Sequence, residues 1–534
     1  MNNILLQDLY AVFRELNKYF IRMFSIKYFA VSVFHFILTF YTDGLIFVYQ
    51  NLDAPVFIRI KIIFLIILIF LWQFIGFIIR NYSKSENIRG FIKFSGIYFA
   101  VMMLFQLALW PFIVGNQMYY GYLADAVYLT DYAVFQGVFI KYFRIYSLML
   151  VPNIAGITIV QIFVISSIIG YVMQQIKKYF NLGKSVYFFY IPFLFPLMLQ
   201  YNLNIEKDII YSYFVLFLIA NLLFLKFETN SQRLNLNIFF IALSSALVAA
   251  VRPGGIIFFI ATPALLYLLY YKSFNFGKIL MYFILSILLS VIFVPNVVST
   301  VLLNKNGASY GNVYILNDTF KVLLNEAVDD QNENILEEFE SDTNFKIKRI
   351  LSKKTELNDG FFTNLPKRDK NKFQIISQKL IAEYFDEYVK HKFKKLYYGQ
   401  VIINLNSNPH NIAEYDNYAH KSYEKIKNRI VQISPAVYSR VIDFFKAYNE
   451  NMSINHYILK SFIFIYSVIF VISILLGVRK IFIIACYMIF HIVYITLIVP
   501  YPGFRFYFPC YITGYLFIFY LIFYFIRRGH INEY

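Results

Sequence analysis

Two carboxylates, Asp125 and Asp131, lie in a segment crowded with aromatic rings, among them Tyr119, Tyr120, Tyr122, Tyr128 and Tyr132. An ionised carboxylate within reach of a hydroxyl takes its proton as a general base, and grouped acids can also hold a divalent metal. Six residues of helix turn through about 600°, so a continuous helix presents only one of the two to a given cavity. Asp125 is the candidate base and Asp131 a candidate substrate ligand. A second cluster, Glu206-Lys207-Asp208, opens an apolar run. Asp208 either caps that helix, where an acid is favourable without any further role, or faces a cavity with Glu206 and Lys207 and engages a bare or metal-bound phosphate. Arg252-Pro253-Gly254-Gly255 stands where one apolar run hands over to the next, and Arg505 stands beside Pro502-Gly503, with Tyr507 two residues on. Arg forks onto phosphate oxygens and stays charged at any relevant pH; the competing account is an arginine snorkelling from a helix end. The seven histidines have no ligand spacing and read as structural.

These residues are positioned by elements that the composition identifies. Of the 534 residues, 59% are hydrophobic and 15% charged, and the apolar ones fall in long runs such as 62–72 and 461–476. About 20 apolar residues cross a bilayer as a helix, and only helices or closed barrels satisfy the backbone there. Barrel strands would alternate, and these runs do not. The fold class expected is an all-α polytopic membrane protein of about twelve transmembrane helices. The spans expected are 28–50, 57–79, 93–114, 148–173, 185–201, 208–226, 236–251, 256–271, 279–302, 457–477, 481–499 and 508–526.

Alternate loops carry Arg80, Lys84 and Arg89, then Lys177, Lys178 and Lys184, then Lys226 and Arg233, Lys272 and Lys278, Arg479 and Lys480, and finally Arg527 and Arg528. The bias of basic residues toward the cytoplasm makes these the inner loops and both termini cytoplasmic. Arg59, Lys61, Lys141 and Arg144 are the exceptions, on the outer side. The formal charge of +18 sits largely in these short loops, so it is not the footprint of a nucleic-acid partner. Cys486 and Cys510, both in apolar runs, support neither a disulfide framework nor a cysteine metal site. No glycine-rich nucleotide loop is present.

The expected organisation is a cytoplasmic lead-in over 1–27, read as amphipathic rather than as a cleaved signal, and a transmembrane region over 28–302. An early external loop, 115–147, should hold interfacial helices, where aromatic rings settle at headgroup level. An external, largely helical domain follows over 303–456, and 457–534 forms the C-terminal transmembrane region and a short tail. Within the external domain Ile376, Leu380, Tyr384, Tyr388 and Phe393 share the spacing of one helix face near 374–405.

This arrangement resembles the C-type membrane glycosyltransferases, which use sugars carried on a polyprenyl phosphate. Trp110-Pro111 leading into 115–147 resembles the early loop that holds the family's catalytic acid, with Asp125 the nearest acid; members often place that acid closer to the Pro, where this chain has Gly115-Asn116-Gln117. Glu206-Lys207-Asp208 resembles the family's acid at the start of a middle span. Arg252-Pro253-Gly254-Gly255 resembles an Arg-Pro-x-Gly stretch, and Arg505-Phe506-Tyr507-Phe508-Pro509 the late basic-aromatic-Pro motif. The resemblance covers 90–300 and 457–526. It implies inverting transfer from a polyprenyl-phosphate sugar to an extracytoplasmic glycan, lipid or protein acceptor, in the cytoplasmic membrane of a bacterium. Two other functions fit the same architecture, a polysaccharide polymerase or ligase and a lipid-linked sugar flippase or transporter. The transporter predicts pseudo-symmetric halves, and no internal repeat is found.

Overall fold

The computed structural model describes residues 24–46, 54–110, 138–224 except 154, 231–270 except 253–254, 323–334, 367–398, 434–451, 462–498 and 504–527, with a few isolated positions besides. Among the described residues the chain is helical throughout and has no strand. Six helices there are long and apolar enough to cross a membrane: Phe57–Asn81, Glu86–Ala108, Gly156–Phe180, Lys207–Phe224, Arg479–Leu497 and Tyr507–Ile526. Four shorter apolar helices, Ile26–Thr42, Asn237–Val251, Ile256–Tyr270 and Ile465–Leu475, accompany them. These apolar helices are consistent with a membrane protein. Each of the ten overlaps one expected span.

In chain order the elements are α1 (Ile26–Ile46), α2 (Ala54–Asn81), α3 (Glu86–Ala108), α4 (Val138–Leu150), α5 (Gly156–Phe180), a 3-10 stretch (Lys184–Leu194), α6 (Pro196–Asn202), α7 (Lys207–Phe224), α8 (Ser231–Val251) and α9 (Ile256–Tyr270). Then follow α10 (Lys367–Glu383), α11 (Phe385–Tyr398), α12 (Pro435–Asn451), α13 (Phe462–Leu475), α14 (Arg479–Ile498) and α15 (Phe504–Ile526). The chain divides into two compact units. One comprises Met1–Val294, Ile403–Ala485 and Phe508–Tyr534, the other Pro295–Ile402 and Cys486–Tyr507.

In the first unit α5 is the central helix, packed on α3, α4 and α7, while α7 packs on α8 and α1 on α2. Where no aqueous hydrophobic effect draws helices together, small residues and side-chain hydrogen bonds set the approach. Gly170 of α5 shows it: a Cβ there would lie 2.0 Å from Ser95 Oγ and 2.6 Å from Ser95 N on α3. His35 of α1 accepts from Trp72 Nε1 of α2 at 3.2 Å, a structural role. Tyr466 of α13 lies hydroxyl to hydroxyl with Thr513 of α15 at 2.9 Å.

One expected span is corrected. The run 185–201 is not one spanning helix. Pro192 and Pro196 lack the N–H that an α-helix needs and crowd the preceding turn. The chain therefore runs as 3-10 helix, turns extended at Phe195, and restarts with Pro196 at the head of α6. The segment 115–147 ends in α4, which packs against α1, α5 and α8 and buries Ile140, Arg144, Ile145, Tyr146 and Ser147. Span 279–302 and residues 111–137 lie almost wholly outside the described residues.

In the second unit the helix expected over 374–405 is two helices, α10 and α11, meeting at Tyr384. Its inward spacing is as expected, with Ile376, Leu380 and Tyr388 buried. The Tyr388 hydroxyl donates to Leu497 O, and Asn332 Nδ2 donates to the Tyr384 hydroxyl at 3.3 Å.

Candidate functional site

The site is built where α7 begins and α8 ends. Antiparallel neighbours bring the N-terminus of one and the C-terminus of the other to the same end of the pair. The two ends carry opposite partial charges, favouring an acid on α7 and a base on α8. The sequence supplies both, with Asp208 in the first turn of α7 and Arg252 immediately after Val251. Arg252 Nη1 lies 2.9 Å from Asp208 Oδ1, and the two side chains are only 9% and 5% exposed. Tyr211, three residues along α7 and so on the same face as Asp208, places its ring 5.6 Å from the guanidinium carbon. The guanidinium is held between a carboxylate and an aromatic face.

The turn that presents Arg252 is tight. Gly255 N donates to Arg252 O at 2.8 Å, and a Cβ on Gly255 would sit 2.2 Å from Val248 O of α8. Only glycine permits that return of the backbone onto the helix it has just left. The Pro-Gly-Gly sequence after Arg252 is thus answered in part by geometry, although Pro253 and Gly254 lie outside the described residues.

The segment 203–206, which delivers Glu206, Lys207 and Asp208, is fixed through its carbonyls. The end of α6 leaves C=O groups without intrahelical partners. Gln161 of α5 donates from Nε2 to Asn202 O at 3.0 Å and Asn204 O at 2.6 Å. Arg144 of α4, itself buried, donates from Nη2 to Ile205 O at 3.1 Å. Asn202 Nδ2 donates to the Tyr98 hydroxyl at 2.8 Å, and Tyr98 donates to Phe193 O at 3.2 Å. Three helices grip this turn, and Asp208 follows it directly. Glu206 and Lys207 are half-exposed beside the buried pair.

Asp208 and Arg252 are therefore brought together, with Glu206 and Lys207 adjoining them. Arg505 and Tyr507 belong to the second unit. Arg505 lies in the first turn of α15. Tyr507 is buried, with its hydroxyl 2.9 Å from that of Thr496. Asp125 and Asp131 lie outside the described residues. Among the described residues no group of three His, Cys, Asp or Glu side chains is arranged to hold a metal ion. Sequence reasoning missed Gln161 and Tyr211 and saw Arg144 only as a charge on an unexpected loop; a lone amide in an apolar run was the available signal for Gln161. Comparison with known protein families, with curated proteins and with solved structures finds no match.

Proposed function

We propose that this chain is a membrane glycosyltransferase that moves a sugar from a polyprenyl-phosphate donor to an acceptor outside the membrane. The observation that carries the reading is the buried Asp208–Arg252 pair at the ends of two apolar helices. Removing two charges from water costs several kcal/mol per ion, and ionisable groups at membrane depth are retained mainly where they act. A guanidinium held ready near a bilayer matches a lipid-borne phosphate in charge and in fork geometry.

In this reading the chain crosses about twelve times, with the broken stretch 184–202 serving as one crossing, so that both termini are cytoplasmic and the 203–208 turn, the Arg252 turn and residues 303–456 lie outside. Asp125 takes the proton of the acceptor hydroxyl. The acceptor oxygen bonds to the anomeric carbon as the bond from that carbon to the phosphate oxygen breaks, inverting the centre. The electron pair leaves with the polyprenyl phosphate. Arg252 meets the charge that grows on the departing oxygen, where a preorganised donor counts most. Asp208 and Tyr211 orient the guanidinium before the donor arrives, and Lys207 adds positive charge at the mouth. Asp131 and Glu206 complete the substrate contacts.

The test is transfer by the purified, reconstituted protein, offered polyprenyl-phosphate sugars and read by release of polyprenyl phosphate. Arg252→Ala is expected to weaken donor use by about 1.5–3 kcal/mol, the size of a charge-assisted bond, with Arg252→Lys restoring part. Asp125→Asn is expected to abolish turnover. Wild-type turnover in Asp125→Asn, Asp131→Asn, Asp208→Asn and Arg252→Ala alike would sink the reading, as would movement of donor across the vesicle without transfer.

A further inference from the structure

The helix α12 belongs to the segment expected to be an external soluble domain, yet its three faces differ. Phe445 is buried and packs on Phe105 of α3, with ring centroids 6.3 Å apart. Opposite that face, Ser439 and Asp443, one helical turn apart, are exposed and polar. A flank between the two carries Val437 and Phe444, which are 43% and 50% exposed. Seven residues apart, they differ by only about 20° around the helix, so they form one stripe. Arg440, three residues after one and four before the other, is exposed beside that stripe.

The neighbour on α3 says what meets the stripe. Phe105 lies three residues before the end of a helix long and apolar enough to cross a membrane, about 5 Å from that end at 1.5 Å per residue. Leu104 and Leu107, flanking Phe105, are 68% and 46% exposed. Exposed leucines on a spanning helix face acyl chains. A helix seated on Phe105 therefore lies at the depth where acyl chains give way to headgroups. We infer that α12 is a membrane-surface helix, with the Val437–Phe444 stripe set into the outermost acyl region and Arg440 reaching lipid phosphates. Its polar face is left to water. This is the arrangement that stabilises amphipathic helices lying in the bilayer plane. The same helix packs on α6, which runs into the turn carrying Glu206, Lys207 and Asp208, so lipid contact is made next to the candidate site. The inference stands on packing and exposure and does not depend on the transfer reaction.

The experiment uses the full chain carrying Cys486→Ser; Cys510 is fully buried and stays. Nitroxide labels on single cysteines at 437, 439, 443 and 444 are examined in phosphatidylethanolamine–phosphatidylglycerol vesicles, by collision with oxygen, which concentrates in lipid, and with a water-soluble nickel chelate. The oxygen-to-nickel accessibility ratio should be several-fold higher at 437 and 444 than at 439 and 443. Equal ratios at all four positions would overturn the inference, and so would exclusion of both reagents from 437 and 444, which would mean protein covers the stripe. Arg440→Glu should lower the ratio at 444; an unchanged ratio would remove the phosphate contact.

Discussion

A double-mutant cycle across Asp208 and Arg252 separates the structural from the functional worth of the pair. With side chains 5% and 9% exposed, removing one partner strands the other charge away from water. Losses of about 3–5 kcal/mol are usual for that change in a buried pair. Asp208→Asn and Arg252→Gln should each fall in that range. The double variant removes both charges, and replacement of a whole buried pair by neutral groups is commonly neutral or better. The double should therefore be far less destabilised than the sum of the singles, giving a coupling energy of at least about 3 kcal/mol. The stacking of Arg252 on Tyr211, about 0.5–2 kcal/mol, is lost in both Arg252 variants and cancels in the cycle. Unfolding in mixed micelles against added SDS, followed by the fluorescence of Trp72 and Trp110, supplies the four free energies. Additivity within about 0.5 kcal/mol would refute the reasoning. The transfer assay on the same proteins carries the second half. A phosphate-binding arginine predicts that the double variant regains stability but not turnover. Recovery of both would make the pair a fastener and nothing more.

Two further outcomes are expected. Gly255→Ala should lower stability by more than about 2 kcal/mol in the same unfolding assay, because its Cβ would meet the Val248 carbonyl at 2.2 Å and the obstruction is backbone that cannot rotate away. Ser341→Cys, in the loop expected outside, should react with a membrane-impermeant maleimide on intact cells; reaction only after permeabilisation would reverse the topology and remove the outward-facing site.

The apolar helices were the most legible part of the chain, for a physical reason. A helix in lipid satisfies its backbone within its own segment, so length and hydropathy alone nearly decide it, whatever the tertiary context. Two segments fall outside that condition in different ways. The stretch 185–201 has the hydropathy but carries Pro192 and Pro196 four residues apart, a signal visible in the sequence and outweighed there by composition. Residues 138–147 read as interfacial because their many rings suit a headgroup boundary equally well. Nothing local separates that environment from a packed one, where Phe64 of α2 and Tyr146 of α4 stack with centroids 5.9 Å apart.

The site was legible as a set of residue types and illegible as a set of partners. Glu206-Lys207-Asp208 and Arg252 each stood out singly, but their pairing depends on α7 and α8 being antiparallel neighbours, a fact of topology. The residues that broke the charge rule proved the best guides to such partnerships. Of the four basic residues on the wrong loops, Lys61 and Arg144 are buried, and each is engaged. Lys61 donates to Thr39 Oγ1 at 2.9 Å among the rings of Phe36, Phe40, Phe57 and Phe64, and Arg144 holds Ile205 O. A cation that neither snorkels to water nor follows the basic loops must be stabilised by particular groups, because the cost of leaving it bare is several kcal/mol. Its presence in an apolar run is therefore evidence that such groups exist. For Arg144 the group is the carbonyl two residues before Lys207. The charge that fitted the topology least well is one of those that set where the first turn of α7 begins, and so where Asp208 meets Arg252.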